Sequence, residues 1–264
     1  MTETISVIIP TWNRAETIKR AIKSVLQQTY PVSEILVCDD GSIDNSKNVV
    51  KKISEKDKRV KWVPGKHSGL PAVPRNRGIK RTQGDWIAFL DSDDYWHAEK
   101  IKSQVSLLKK EGATAICTNG FGFSKEKIEA KPMINFSKKE VNFNDLLSNN
   151  AIITSSVLIE KNLLFKYGLF PETEKLKGTE DYSLWLRIAN FTTFRFINKP
   201  LVYYRDEPQE SIRKNLPPYL FQRYHSLINF LLWSFNNKYF NPKQIKASLS
   251  LLKIIAKSAY RLIK

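Results

Sequence analysis

Residues 84–96 read GDWIAFLDSDDYW, and this stretch decides which kind of fold the chain can form. The apolar run from Trp86 to Leu90 has the length and composition of a strand that is buried on both faces. It leads directly into three carboxylates, Asp91, Asp93 and Asp94. Acids left unpaired at such a place repel one another, so they must stay hydrated or be neutralised. The stretch therefore predicts a buried strand whose acidic end binds a positive group supplied from outside the chain.

The segments on either side of this strand alternate between strand and helix patterns. Short apolar runs end in PTWN at 10–13 and in DDGS at 39–42, and helical spacing of apolar residues follows over 15–28 and 44–56. This alternation predicts an α/β fold, with a mostly parallel sheet flanked by helices. Ligands bind beyond the carboxyl ends of the strands in such sheets. We therefore expect PTWN, DDGS and DSDD (91–94) to line one edge.

The spacing of Asp91 and Asp93 suits a hard divalent cation. Mg²⁺ or Mn²⁺ accepts one or two protein carboxylates and completes its coordination with water and phosphate oxygens. The alternative is a solvated acidic turn that caps the next helix, which Asp94 alone could do. The position after a buried strand, near two other polar strand ends, favours the metal site.

Three further stretches carry candidate chemistry, and each has a structural alternative. In DDGS (39–42) a carboxylate could accept hydrogen bonds from a base or ribose, or the stretch could form an Asx turn. PRNRG (74–78) places two arginines at a helix start, which suits a diphosphate but also describes ordinary surface arginines. In TEDYSLWLR, Glu180 and Asp181 could supply a general base or complement a helix dipole.

The charge distribution points to an anionic partner. The net charge is +17, and from residue 211 onward the chain has ten Lys or Arg and no acid. Such a tail suits nucleic acid or a lipid surface. From Pro242 on, an apolar stripe (Ile245, Leu249, Leu252, Ala256, Ala259, Ile263) runs beside a basic one (Lys246, Lys253, Lys257, Arg261, Lys264). This pattern favours a helix on an anionic membrane, the alternative being a helix packed on the domain with a solvated lysine face.

We expect neither a leader nor a membrane-spanning segment. The N-terminus enters ISVIIPTWN without a basic region and cleavable apolar segment, and the apolar stretch LINFLLWSF is well short of the roughly 20 residues that cross a bilayer. Cys38 and Cys117 lie in apolar runs without metal or disulfide spacing, as expected in a reducing compartment. We therefore expect a soluble protein facing the cytoplasm.

Taken in order, SVIIPTWNR, VCDDGSID, PRNRGI, GDWIAFLDSDDYW and TEDYSLWLRIA resemble the motifs of glycosyltransferase family 2, inverting enzymes with the Rossmann-like GT-A fold. The resemblance covers about residues 4–205. Trp12 stands where Tyr or Phe is usual and Pro74 where Ala is commoner, and neither change removes a charged group. We expect a nucleotide-sugar-binding half over 1–115, an acceptor-binding half over 116–215 and a basic amphipathic helical tail over 216–264.

The resemblance also implies a role for each matching position. The nucleotide sugar would be bound by Pro10, Thr11, Asp40, Ser42, Arg75, Asp91 and Ser92, with Asp40 accepting a hydrogen bond from the base. Asp91 and Asp93 would hold Mn²⁺ or Mg²⁺, and Asp181 would be the catalytic base, with Glu180 beside it.

The implied reaction moves a sugar from a nucleoside diphosphate, typically UDP, to a hydroxyl of a glycan acceptor. We expect this acceptor to be carried on a polyprenyl diphosphate at the inner face of the cell membrane, in bacterial surface-polysaccharide synthesis. The protein would then be a peripheral membrane enzyme whose C-terminal helix contacts the anionic surface.

Three other classes fit parts of the sequence. A metal-dependent nucleotidyltransferase also bridges phosphates through metal, but the first strand–helix unit has no glycine-rich loop early on. A basic nucleic-acid-binding protein without catalysis would not need acidic strand ends, which repel phosphates. A degenerate homologue acting as a scaffold would not need Asp40, Asp91, Asp93 and Asp181 intact. We therefore expect a sugar-transferring enzyme that does not bind nucleic acid.

Overall fold

A ten-stranded sheet runs through the centre of the computed structural model, which describes residues 3–124, 127–207, 214, 216–239 and 241–263, with side chains as far as Ile255. The strands are β1 (Ile5–Thr11), β2 (Glu34–Asp39), β3 (Val60–Val63), β4 (Trp86–Phe89), β5 (Tyr95–Trp96), β6 (Ala115–Ser124), β7 (Lys127–Pro132), β8 (Glu140–Val141), β9 (Leu158–Glu160) and β10 (Phe194–Arg205). The helices are α1 (Ile18–Leu26), α2 (Ser46–Lys56), α3 (Ala72–Arg81), α4 (Lys100–Glu111), α5 (Phe143–Ser148), α6 (Lys161–Lys166), α7 (Glu180–Ala189), α8 (Tyr219–Asn236) and α9 (Pro242–Ile263).

The sheet is parallel in its first four strands and mixed beyond them. Its order is β3-β2-β1-β4-β9-β6-β10-β5, with β7 beside β6 and β8 beside β10. The strands β1 to β4 pair in parallel, whereas β9 runs antiparallel to both of its neighbours. The α/β fold with a helix-flanked sheet is thus confirmed, and the second half of the sheet is more mixed than the sequence pattern indicated.

The carboxyl ends of β1 and β4 lie side by side at a change in strand order. After β1 the chain adds β2 and β3 on one side, and β4 then pairs on the other side. Thr11 at the end of β1 pairs with Asp39 at the end of β2, so the predicted polar segments do share an edge. This is the kind of crevice in which open α/β sheets bind ligands.

Alternate side chains of the buried strands pack on opposite faces of the sheet. On β1, Val7 and Ile9 pack with a core that includes residues of α1, α2 and α4. Ile8 points the other way, into a core that includes residues of α3, α7 and α8. Because helices cover both faces, these strands are apolar at nearly every position.

The helices α8 and α9 form the predicted helical extension, and each buries one side against the domain. Leu227 and Phe230 of α8 share a core with Leu252 and Ile255 of α9. Leu249, predicted on the same stripe as Leu252, is 45% exposed. The described part of that stripe is therefore divided between the domain and solvent, as a helix that packs on the domain requires. The side chains of Ala256, Ala259, Ile263, Lys257, Arg261 and Lys264 lie outside the described residues.

Membrane-spanning character is absent from the helices that the structure describes. Neither α8 nor α9 is long and apolar enough to cross a bilayer.

Candidate active site

A cavity of about 360 Å³ opens at the carboxyl ends of β1, β2 and β4. This volume falls in the range of small-molecule sites. The predicted site residues that line it are Pro10, Thr11, Asp40, Arg75, Asp91, Ser92, Asp93, Glu180 and Asp181. The structure thus brings together all of the predicted residues except Ser42, from strand ends, from α3 and from the start of α7.

The three acids that follow β4 have different surroundings. Asp91 and Asp93 line the cavity with partly exposed side chains, and Asp93 lies 3.4 Å from Arg14. Asp94 is 1% exposed, and its carboxylate accepts hydrogen bonds from the Arg205 backbone N–H at 2.8 Å and the Ser155 hydroxyl at 2.6 Å. Asp94 therefore ties β10 to the loop before β9 and does not cap α4.

The acidic edge is electrostatically strained. Burial raises the pKa of Asp93, the neighbouring charge of Asp91 raises it further, and Arg14 opposes the shift. Burial and the same two aspartates raise the pKa of Asp94 well above its usual value. A cation on the solvent side of Asp91 and Asp93 would relieve this repulsion.

The donor set fits a metal ion that is shared with a ligand. Among the described residues no three His, Cys, Asp or Glu side chains form a cluster that could enclose an ion. Asp91 and Asp93 alone supply the carboxylates, which is the number that Mg²⁺ or Mn²⁺ takes when water and phosphate oxygens complete its shell. The residues present therefore fit a divalent cation that binds together with a diphosphate.

Arg75 is a buried bridge between two cavity walls. Its Nη1 donates to Glu180 Oε1 at 2.6 Å and its Nη2 to Asp91 Oδ1 at 2.7 Å. Burial alone would lower the pKa of this guanidinium, but the charges of Asp91 and Glu180 raise it above the ordinary arginine value. Both terminal nitrogens of Arg75 thus bind carboxylates. Arg75 is therefore not a surface arginine, and it is not free to bind a diphosphate. Its neighbour Arg77 donates to the Asp39 carbonyl below the cavity at 2.5 Å.

The first turn of α7 presents Asp181 to the cavity and fixes Glu180 behind it. The second oxygen of Glu180 accepts the Gly178 N–H at 2.7 Å, so both carboxylate oxygens are engaged. Asp181 accepts hydrogen bonds from the Thr154 hydroxyl and, through its other oxygen, from the Tyr182 backbone N–H at 2.6 Å. Burial raises the pKa of Asp181, while Thr154 and Arg75 oppose the shift. A half-buried carboxylate with a raised pKa is suited to accept a proton, and Asp181 meets this description better than Glu180.

The opposite end of the cavity is formed by Asp40 and the loop after β3. The Asp40 carboxylate accepts hydrogen bonds from Ser68 N–H, Ser68 hydroxyl and Gly69 N–H at 2.7–3.1 Å. The ring of His67 lies 3.1 Å from the same carboxylate and stacks on Trp12, with 4.6 Å between ring centroids. Asp40 therefore holds this loop in place, and the exposed Trp12 ring forms the adjacent wall.

The DDGS stretch forms the Asx turn that was the structural alternative for it. Asp39 accepts the N–H groups of Gly41 and Ser42, which makes the Asx turn, and Gly41 has a φ of 80° that favours glycine. The Ser42 hydroxyl accepts the Asn13 N–H at 2.9 Å. Ser42 thus joins the loops after β1 and β2 and does not line the cavity.

Several residues at the site were missed by the sequence analysis. Arg14, His67 and Lys177 line the cavity, and Thr154 lies behind Asp181. His67 had a usable signal, because it follows β3 and so belongs to the same edge of the parallel strands. Thr154 had no such sequence signal, because it lies in an irregular segment and contacts Asp181 only in the folded structure.

Comparison with known proteins identifies the family. The model of the family described as Glycosyl transferase family 2 matches residues 6–173. The chain belongs to this family. The glycosyltransferase prediction is thereby confirmed, and the alternatives of a nucleotidyltransferase and a nucleic-acid-binding protein are set aside.

The chain is similar to a curated relative of named activity and to two glycosyltransferases of solved structure. WfgD of Escherichia coli, a UDP-Glc:alpha-D-GlcNAc-diphosphoundecaprenol beta-1,3-glucosyltransferase, is 36% identical over 194 residues, which are 74% of this chain and 73% of WfgD. TarS of S. aureus, solved in complex with UDP-GlcNAc, superposes with a TM-score of 0.74 at 20% identity over 94% of this chain and 71% of TarS. The mannosyltransferase PcManGT of Pyrobaculum calidifontis, solved with GDP-Man and Mn²⁺, has a TM-score of 0.61 at 17% identity over 97% of this chain and 76% of PcManGT. The predicted GT-A fold is confirmed by these likenesses.

Proposed function

We propose that this glycosyltransferase moves a hexose or N-acetylhexosamine from its UDP derivative to a hydroxyl of a glycan carried on a polyprenyl diphosphate. The observation that carries the proposal is that Asp181, a carboxylate with a raised pKa, lines the same cavity as the Asp91 and Asp93 pair. One side of the cavity can thus take a proton while the other receives a charged leaving group. The UDP donor and the lipid-linked acceptor are supported by the corresponding activity of WfgD.

The donor's base would lie at the Trp12 end of the cavity. An exposed indole offers a face on which a base can stack, and the His67 ring already covers its other side. Because the Asp40 carboxylate holds the loop at 68–69, we assign it first to shaping this pocket and second to accepting a hydrogen bond from the base. Pro10 and Thr11 would form the floor, and the buried Thr11 hydroxyl has no protein partner among the described residues.

The diphosphate would lie against Asp91, Ser92 and Asp93. Asp91 and Asp93 would hold Mn²⁺ or Mg²⁺, which when bound supplies charge neutralisation of the leaving diphosphate. Arg75 orients Asp91 through one terminal nitrogen, since its other terminal nitrogen is fixed by Glu180. Arg14 and Lys177 add positive charge to the wall of the cavity.

Asp181 would act as general base on the acceptor hydroxyl. As the acceptor oxygen bonds to the anomeric carbon, its proton passes to Asp181 and the bond to the diphosphate oxygen breaks with its electron pair. A single displacement of this kind inverts the anomeric configuration and needs no covalent intermediate with the protein. Thr154 positions Asp181 through its hydroxyl, and Glu180 acts only through Arg75.

We place the reaction at the cytoplasmic face of a bacterial membrane, in the synthesis of a surface polysaccharide, with the enzyme bound peripherally. Residues 1–115 would supply the donor side of the cavity and residues 116–215 the acceptor side, with 216–264 as the membrane-associated tail. This assignment is supported by the lipid carrier named in the activity of WfgD and by the basic, acid-free C-terminal segment.

The test is sugar transfer by the purified full-length chain with Mn²⁺, a panel of nucleotide sugars and a synthetic glycan-diphosphate-lipid acceptor. We expect release of nucleoside diphosphate from a UDP-sugar and an acceptor whose mass increases by one sugar residue. Release of pyrophosphate, or no mass change with any UDP-sugar, would contradict the proposal. Asp181→Asn should bind the donor like the wild type and transfer about 10²–10⁴-fold more slowly, because only the proton acceptor is lost.

A further inference from the structure

The helix α8 has an apolar face on each side, and only one of them packs on the domain. Leu227, Phe230 and Leu231 are 0–5% exposed in the core. On the other side Phe221 is 52% and Leu232 is 58% exposed. An apolar outward face on a helix of 18 residues needs a partner, because ordinary surface helices turn charged and polar residues to water.

This outward stripe carries no Lys, Arg, Asp or Glu, although it includes His225. Phe221, His225, Ile228 and Leu232 follow one another at intervals of four, three and four residues, the spacing of a single helix face. Phe221 and Leu232 are its exposed members, whereas His225 and Ile228 are partly buried and Ile228 packs against the core. The rings of Phe221 and His225 touch, with 4.3 Å between centroids. We call these four residues the α8 stripe. The charged residue in α8, Arg223, is outside the stripe.

The outward side of α9 combines aliphatic side chains with lysines. Leu249 is 45% and Ile254 is 61% exposed, and Lys243, Lys246 and Lys253 are exposed on the same helix. The buried residues of α9, among them Leu252 and Ile255, pack with α8 and the domain. The helices α8 and α9 pack against each other. The pair thus carries an apolar stripe on α8 and a set of exposed lysines on α9.

The positive charge of residues 211–264 favours an anionic partner. From residue 211 to 264 there are ten basic residues and no acid, which repels a second copy of the same surface and attracts an anionic one. Neither helix can cross a membrane. A non-spanning helix with an apolar face beside lysines is suited to lie in the plane of an anionic lipid surface, with its apolar side chains among the headgroups.

We propose that the α8 stripe, with the exposed lysines of α9, is the surface that rests on an anionic phospholipid membrane. The inference rests on the proposed membrane location and adds which residues contact the lipid. Because the α9 stripe is buried in the domain at Leu252, α8 supplies the main apolar contact. Such a contact would hold the enzyme where a lipid-linked acceptor is presented.

Flotation of the full-length protein with vesicles tests the proposal. The vesicles contain phosphatidylcholine alone or phosphatidylcholine mixed with phosphatidylglycerol. We expect the wild type to float with the mixed vesicles, and Phe221→Ser/Leu232→Ser to partition about tenfold less strongly. Lys243→Gln/Lys246→Gln/Lys253→Gln should lose binding to the mixed vesicles. Phe165→Ser, which alters a similarly exposed phenylalanine (49%) on α6, should bind like the wild type.

Several outcomes would overturn the proposal. The proposal is wrong if the wild type stays in solution with the mixed vesicles. It is also wrong if the Phe221→Ser/Leu232→Ser variant floats like the wild type. A wild-type dimer in light scattering that the same substitutions convert to a monomer would assign the stripe to a second copy instead. Release of UDP from a soluble donor should be unchanged in these variants, so a failure of membrane binding remains distinct from a failure of the proposed transfer activity.

Discussion

Arg75 and Glu180 lie 105 positions apart in the chain, both line the cavity, and the Arg75 guanidinium donates to the Glu180 carboxylate at 2.6 Å. Both side chains are almost fully buried, and the second arm of Arg75 reaches Asp91 at 2.7 Å. The start of α7 and the end of β4 are therefore locked together through one guanidinium. Removal of that group leaves two carboxylates without their shared partner.

Arg75→Met should destabilise the fold as well as the site. Removing one partner of a buried ion pair costs about 3–5 kcal/mol, because the remaining charge stays buried and uncompensated. The measurement is the free energy of unfolding in urea, with Arg81→Met, at an exposed position on the same helix, as the control. A loss for Arg75→Met no larger than that for Arg81→Met would contradict the bridge.

Thr154→Val should shift the pH dependence of transfer. Asp181 must be deprotonated to act as a base, so activity rises as the pH increases through its pKa, which burial holds above the usual aspartate value. The Thr154 hydroxyl lowers that pKa by donating to the carboxylate, so its removal should raise the pKa and move the acidic limb to higher pH. Thr154→Ser, which keeps the hydroxyl, should leave the limb in place. The pH profile of kcat decides, and an unmoved limb in Thr154→Val would count against Asp181 as the base.

Trp12→Ala should weaken donor binding. Stacking of a base on an aromatic ring contributes about 1–3 kcal/mol, which corresponds to about fivefold to 150-fold in Kd. Titration calorimetry with UDP measures the effect, and Trp12→Phe should recover most of the affinity because it keeps an aromatic face. Equal affinity for UDP in wild type and Trp12→Ala would place the base elsewhere.

Lys100→Met should change how stability depends on pH. The Lys100 amine is fully buried, with a hydrogen bond to Gln104 at 2.9 Å and the Trp96 ring at 3.9 Å, and burial lowers its pKa well below the ordinary value. The unfolded chain holds this proton up to about pH 10.4. Between the two pKa values the unfolded state binds one proton more, so wild-type stability rises with pH and falls as the pH is lowered.

The expected slope for this single group is about 1.4 kcal/mol per pH unit in the range between its lowered pKa in the fold and its pKa in the unfolded chain. Urea unfolding at several pH values should show that Lys100→Met lacks this part of the slope. The exposed Lys102→Met on the same helix should retain it. Parallel stability profiles for wild type and Lys100→Met would mean that Lys100 is protonated in the fold.

The parts of the site that the sequence could predict are those with a local signal. An apolar run that stops at an acid marks a strand end, and parallel strands bring such ends to one edge, so Asp40, Asp91 and Asp93 were placed together correctly. Gly112 is a local signal of the same kind, because it ends α4 in the left-handed conformation, with a φ of 63°, that glycine adopts readily after a helix.

What the sequence could not predict depends on which side chains meet across the fold. Arg75 reads as a surface or phosphate-binding residue until α7 places Glu180 beside it. Asp94 reads as a helix cap until β10 and the loop at Ser155 enclose it. Helical spacing predicted the apolar stripe of α9, but it could not show which side α8 would cover or that α8 itself has a second apolar face.

The most direct test of the proposed function concerns the acidic pair after β4. Sugar transfer is measured in excess EDTA, after addition of Mn²⁺, and in Asp93→Ala. Glu16→Ala, which removes an exposed acid that does not line the cavity, is the control. We predict that EDTA abolishes transfer, that Mn²⁺ restores it, that Asp93→Ala is at least about a hundredfold slower and that Glu16→Ala is unaffected. Undiminished transfer in EDTA together with full activity of Asp93→Ala would contradict the account.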